Sequence, residues 1–99
     1  MLFRSNQSMR KLLVLNPKDN IAVALAELNA GENIDQDNLK LKVLEAIPRG
    51  HKIATCDIRK SAGIIKYGER MGHAIKEIPM GAHVHVHNVL GDRLSPDKQ

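Results

Sequence analysis

Two stretches of the chain carry the same turn: Ile47-Pro48-Arg49-Gly50-His51-Lys52-Ile53 and Ile78-Pro79-Met80-Gly81-Ala82-His83-Val84 both read apolar-Pro-x-Gly-x-x-β-branched. Leu28-Asn29-Ala30-Gly31-Glu32-Asn33-Ile34 follows the pattern more loosely. Each glycine sits where a tight turn can demand a positive φ, and the chain returns to a strand three residues later. Proline has no amide to give to a central ladder, so Pro48 and Pro79 belong to equivalent turns rather than to strands. Many short strands joined by such turns make a compact β domain, not a helical bundle.

The runs between the turns are short. Leu12 to Leu15 reads as a buried strand, ended by the turn residues Asn16-Pro17-Lys18-Asp19-Asn20. Ile21 to Leu28 is balanced between helix, favoured by its alanines and leucines, and strand, favoured by Ile21, Val23 and Leu25 on alternate positions; its brevity selects strand. Leu39, Leu41 and Val43 alternate with lysines across Asn38 to Glu45, the mark of a half-buried strand. His51 to Thr55 is extended, Asp57 to Gly63 is a polar loop with room for one helical turn, and Ile64 to Tyr67 is a strand stopped by Gly68, with Gly72 as a further break. The expected organisation is a flexible extension over 1–10, one all-β domain over 11–90 and a flexible tail over 91–99.

After the second Pro-x-Gly turn, His83-Val84-His85-Val86-His87-Asn88 alternates imidazole with valine. Successive side chains of a strand point to opposite faces, so His83, His85 and His87 are expected on one face and Val84 and Val86 on the other. Three of the five histidines then form a ridge able to bind a divalent ion or exchange protons near neutral pH. The competing reading is a half-buried strand whose polar side happens to be histidine. The repeat places Gly50-His51 and Gly81-Ala82 at matching turn exits, which brings His51 or Lys66 near the ridge. No carboxylate or thiolate accompanies the ridge at ligand spacing, so the isolated chain is expected to require no metal, to bind divalent ions weakly at best and to be inactive alone.

The 99-residue length allows one domain with a modest core, part of which a partner or second copy is expected to cover. With one Phe, one Tyr and no Trp, the chain lacks stacking platforms for nucleic acid. Its net charge of +4 suits a small anionic substrate without defining a nucleic-acid groove. Cys56 is the sole cysteine, which excludes an internal disulfide and fits a reducing cytoplasm. With Asp57 beside it the thiol is a poor nucleophile and is expected as a small apolar filler. No apolar run approaches the roughly 20 residues of a membrane helix, and the start has no signal-peptide pattern.

In order and spacing, Ile47-Pro48-Arg49-Gly50-His51-Lys52-Ile53-Ala54, Asp57-Ile58, Ile64-Ile65-Lys66-Tyr67-Gly68-Glu69, Gly72, and Gly81 with His83 to Asn88 resemble the SAF domain of the altronate and galactarate dehydratase family, which also contains sulfolactate sulfo-lyase. Asp19 to Leu25 resembles that family too, so the likeness covers about residues 11 to 90. It implies an all-β, SAF-type β-clip fold of short curled strands. It also implies a place as the N-terminal domain of a longer enzyme, or as a small subunit beside a large catalytic dehydratase subunit. The implied reaction is elimination from a small hydroxy-acid anion, water leaving a sugar acid or sulfite leaving sulfolactate, with Fe2+ or Mn2+ in the complete sugar-acid enzyme.

Removing a proton next to a carboxylate creates an enediolate, which needs a metal or cationic side chains where charge develops, a base, and an acid for the leaving group. By match to the motif the candidate catalytic residues are His51, Lys52, Lys66, Tyr67, His83 and His85, and the candidate metal ligands are His83, His85 and His87. Against them stand a solvated strand face for the two lysines and a packed core position for Tyr67. Galactarate enzymes lack most of the imidazole ridge, which disfavours that substrate, and His73 stands where sugar-acid members commonly carry tyrosine. Two rivals remain: a non-catalytic SAF module that binds carbohydrate or assists assembly, and a free metal-binding β domain.

Overall fold

The computed structural model describes residues 10–92, with no helix among them. In chain order the strands are β1 (Leu12–Leu13), β2 (Ile21–Ala24), β3 (Asn33–Gln36), β4 (Leu39–Lys42), β5 (Lys52–Ala54), β6 (Gly63–Lys66), β7 (Glu69–Ala74), β8 (His83–Val84) and β9 (Val89–Leu90). They pair antiparallel as a four-stranded sheet β1-β2-β5-β8, a hairpin β3-β4 and a three-stranded sheet β6-β7-β9. The fold is all-β.

Turn chemistry explains the layout. Leu28 and Ile47 exchange two backbone hydrogen bonds of 2.9 Å, and Ile58 and Ile78 exchange a pair of 2.7 and 2.8 Å. Three residues after each of these four lies a positive φ: Gly31 at 90°, Gly50 at 85°, Ser61 at 77° and Gly81 at 91°. Pro48 and Pro79 occupy equivalent turns, in which His51 and Ala82 each donate a 3.0 Å bond to the proline carbonyl. The intervening hairpins also match, because Asp37 and Asn38 (51° and 69°) and Tyr67 and Gly68 (59° and 75°) are left-handed at both central positions. That is the type I′ turn, whose twist suits paired strands.

The chain is thus an internal duplication. Leu28, Gly31, Ile34 and Asp37 have counterparts in Ile58, Ser61, Ile64 and Tyr67; beyond a bulge at Met71, Val43, Ile47, Gly50 and Ile53 have theirs in Ala74, Ile78, Gly81 and Val84. Each repeat closes its own core. Leu12, Ala22, Ala24 and Ile53 pack with Leu28, Ile34 and Ile47 on one face of the four-stranded sheet, while Ile21, Ala54 and Val84 pack with Ile58, Ile64 and Ile78 on the other. The period-two alternation Ile21/Ala22 and Ile53/Ala54 feeds both cores from single strands.

Serine in the third of these turns pays a left-handed penalty that glycine avoids. Ser61→Gly is therefore expected to raise stability by about 0.5–1 kcal/mol, strain relief outweighing the extra freedom of the unfolded chain. A rise of a few degrees in thermal midpoint would show it, and an unchanged or lower midpoint would contradict it.

Several expectations are corrected. The Asp57–Gly63 loop holds the third of these turns, at Ser61, and no helical turn, and Gly72 lies inside β7 rather than breaking the chain. A Cβ at Gly72 would stand 2.5 Å from the Leu90 carbonyl, so glycine serves the close approach of β9. The strand expected from His83 to Asn88 ends at Val84, and Val86 is 79% exposed instead of sharing the buried face with Val84. β1 stops at Leu13, and Cys56 is exposed rather than a core filler, its thiol pushed up first by the partial desolvation that its neighbours impose and then by Asp57. Tyr67 is no core residue: it is 60% exposed at a hairpin tip. Most of the expected extension and tail lies outside the described residues. Arg10 pairs with Asp37, and Asp92 pairs with Arg70 and His73.

Candidate functional site

His51 precedes β5 and His83 opens β8, the edge strand that pairs with β5 through Ile53↔His83 and Lys52↔Val84. Register therefore sets the two imidazoles side by side, with Nδ1 of His51 2.9 Å from Nε2 of His83, one ring donating to the other. His85 continues the stack: its ring centroid is 4.6 Å from that of His51 and 5.4 Å from that of His83. Ring nitrogens of His51, His83 and His85, each able to offer a lone pair to a metal, all lie within 4.8 Å of one another. His87 stands beside His83 at 5.4 Å between centroids, tilted, and is exposed.

The chain holds His83 and His85 together although the strand has ended. Asn88, 4% exposed, donates through Nδ2 to the His83 carbonyl (2.8 Å) and accepts the His85 amide at Oδ1 (2.9 Å), closing a turn over residues 85–88. The His83 amide donates to Oε2 of Glu45 across the repeat boundary (3.2 Å). Burial, then the neighbouring His51, His87 and His85 rings, holds the His83 imidazole below its ordinary pKa, against the opposing pull of Glu45. Its neutral, ligand-competent form is favoured near pH 7.

Lys52 and Lys66 lie on the other side of β8. They line one groove of about 410 Å³ with Val84, His85, Val86 and Met71. Lys66 ends β6, with Nζ 5.3 Å from the centroid of the Tyr67 ring. Asp19 fixes this tip by accepting the Tyr67 and Gly68 amides at 3.1 and 2.8 Å, and Asn20 clamps the same strand through the Ile65 amide and the Gly63 carbonyl.

The structure thus brings Lys52, Lys66 and His85 to one groove, and His51, His83 and His85 to one cluster, with His85 in both. Tyr67 stands outside the groove lining, and His87 outside the set of converging nitrogens. His73 donates through Nδ1 to Asp92 Oδ1 (3.1 Å), a carboxylate that Arg70 also grips, so its ring is committed elsewhere. Glu45 and Asn88 position the cluster without a sequence signal for Glu45, which lies far upstream; for Asn88 the signal is an asparagine placed to cap its own turn. Three imidazoles are a borderline donor set that fits Fe2+ better than Mn2+, which prefers oxygen.

The family described as the altronate/galactarate dehydratase SAF domain matches residues 10–92. The chain is 47% identical over 88 residues to an altronate dehydratase of Escherichia coli (strain K12), covering 82% of this chain and 18% of that protein. It is 38% identical over 80 residues to an altronate dehydratase of Bacillus subtilis (strain 168), covering 81% of this chain and 16% of that protein. Against the (2R)-sulfolactate sulfo-lyase subunit alpha of Chromohalobacter salexigens it is 41% identical over 72 residues, 72% of this chain and 77% of that subunit. The chain therefore spans under a fifth of the two dehydratases but most of the sulfo-lyase subunit.

Proposed function

Because the chain belongs to the altronate/galactarate dehydratase SAF-domain family, we propose that it is the small part of a cytoplasmic lyase that eliminates water from a sugar-acid anion, completed by a large catalytic subunit or domain. The observation that carries this reading is the groove shared by Lys52, Lys66 and His85. Abstracting a proton beside a carboxylate, onto a base that the large subunit would supply, spreads negative charge over that carboxylate, and the two ammonium groups lining the groove would stabilise it as it forms. One of these ammonium groups would pass its proton to the departing hydroxyl, while the His51 ring stacks on His85 at 4.6 Å and holds that ring in place. An Fe2+ ion held by His51, His83 and His85 would supply Lewis-acid polarisation of a substrate oxygen. The groove is open on one side, so the reaction needs a second surface to exclude water.

A second reading has its own support: the chain spans 77% of a sulfo-lyase subunit alpha. There the same groove would face a sulfonate, and sulfite would leave in place of water. The deciding experiment mixes the purified chain with a large dehydratase subunit deprived of its SAF region and measures turnover on altronate and on (2R)-sulfolactate. Turnover on one substrate that depends on the added chain is expected. A stable complex whose turnover is the same without the chain would leave it an assembly module.

A further inference from the structure

We propose that His51, His83 and His85 form a binding site for one divalent first-row transition-metal ion, with the remaining coordination positions open to water or to a substrate oxygen. Nitrogens from three rings lie within 4.8 Å of one another. The 2.9 Å between His51 Nδ1 and His83 Nε2 is close to the ~3 Å that two ligands about 2.1 Å from one ion subtend at a right angle. In the metal-free protein that contact is bridged by a proton, and the ion takes the proton's place. The set differs from the sequence ridge: the third ligand is His51, delivered by the opposite strand, and His87 is left out.

The backbone that carries the site is fixed before any ion arrives; the rings, whose ligand nitrogens lie within 4.8 Å of one another, then turn inward, since two ligands about 2.1 Å from one ion stand at most ~4.2 Å apart. Residue 51 is fixed by its turn, its amide donating to the Pro48 carbonyl (3.0 Å) and its carbonyl accepting from Ala24 (2.8 Å). β5–β8 pairing holds His83, and Asn88 holds His85. Ligands on paired strands with their backbones hydrogen-bonded lose little freedom on binding, which favours affinity over a chance cluster of flexible side chains. Weak binding is what residues 83–87 would offer alone; His51 raises the set to the three-imidazole, open-position arrangement that metal-activating sites use. All-nitrogen donors select borderline ions such as Zn2+, Co2+ and Fe2+ over Mg2+ and Ca2+.

The role of the ion rests on the lyase reading above, but its binding does not, so the test uses the metal-free 99-residue chain without substrate. Co2+ is titrated by calorimetry and by visible absorption. One equivalent is expected to bind, undisplaced by a large excess of Mg2+. His51→Ala, His83→Ala and His85→Ala should each weaken binding on the order of 100-fold or more, and His87→Ala and His73→Ala by less than about threefold. As a check that needs no variant, Co2+ should broaden the ring resonances of His51, His83 and His85 ahead of that of His73. Absence of saturable binding, or equal loss in His87→Ala and His51→Ala, would overturn the site. Metal binding by the chain together with failure to support turnover would keep the site and remove the lyase reading.

Discussion

In a lyase reconstituted with the large subunit, Lys66→Ala is expected to lower kcat on the order of 100-fold while the chain keeps its fold. Lys66 lies at the end of β6, on the wall of the groove that it shares with Lys52 and His85. A positive group aimed at the place where the enediolate charge develops acts mainly in the transition state, so its loss falls on kcat more than on KM. Structurally the same side chain gives little. It is half-exposed, makes one contact with the Tyr67 ring at 5.3 Å, and its removal should change stability by less than about 0.5 kcal/mol. Lys66→Arg should recover part of the rate, because the charge returns with a different shape. Lys18→Ala, an exposed lysine off the groove, should leave kcat and KM unchanged. If Lys66→Ala and His85→Ala both kept kcat and KM, the chain would serve the enzyme by packing alone.

How much of this was legible in the sequence depends on how local the cause is. Pro48-Arg49-Gly50 and Pro79-Met80-Gly81 declare their turns because proline and glycine have few other uses at that spacing. The equivalent turn at Ile58-Arg59-Lys60-Ser61 is hidden, since Ser61 takes a φ of 77° that its type does not announce. Gly72 misleads for the opposite reason: it looks like a breaker but sits in β7 because β9 crowds it. Among the histidines, period two brings His83 and His85 onto one side, as their near-parallel rings show. His87 stays beside them, 5.4 Å from the His83 ring, but the opposite face is lost, because Asn88 bends the chain and sends Val86 outward. The approach of His51 follows from the duplication, which makes β5 and β8 neighbours. That of Glu45 comes from tertiary packing across the two repeats and leaves no local trace.

The duplication also supplies a matched pair for the last expectation: Gly81→Ala should destabilise the chain by roughly 2–5 kcal/mol, and its counterpart Gly50→Ala by only about 1–2 kcal/mol. Both glycines are left-handed, at 91° and 85°, and a Cβ there costs about 1–2 kcal/mol wherever it occurs. Around Gly50 there is nothing within 4 Å of an added Cβ, so that penalty stands alone. At Gly81 the Cβ would overlap the Lys42 carbonyl and stand 3.3 Å from the Leu44 side chain. Backbone must move to relieve it, adding about 1–3 kcal/mol. The 3.0 Å bond from the Leu44 amide to the Gly81 carbonyl, which ties the first repeat to the second, would be pulled with it. For a domain of this size the difference corresponds to a thermal midpoint lower by about 10 °C in Gly81→Ala than in Gly50→Ala. Because Gly81 leads into Ala82 and His83, the displaced backbone should also separate His83 from His51. The Gly81→Ala chain should then lose Co2+ affinity even where it remains folded, while Gly50→Ala keeps more of it. Equal midpoints for the two variants would show that Lys42 and Leu44 yield without strain, and that the two repeats are less tightly joined at Gly81 than their hydrogen bond implies.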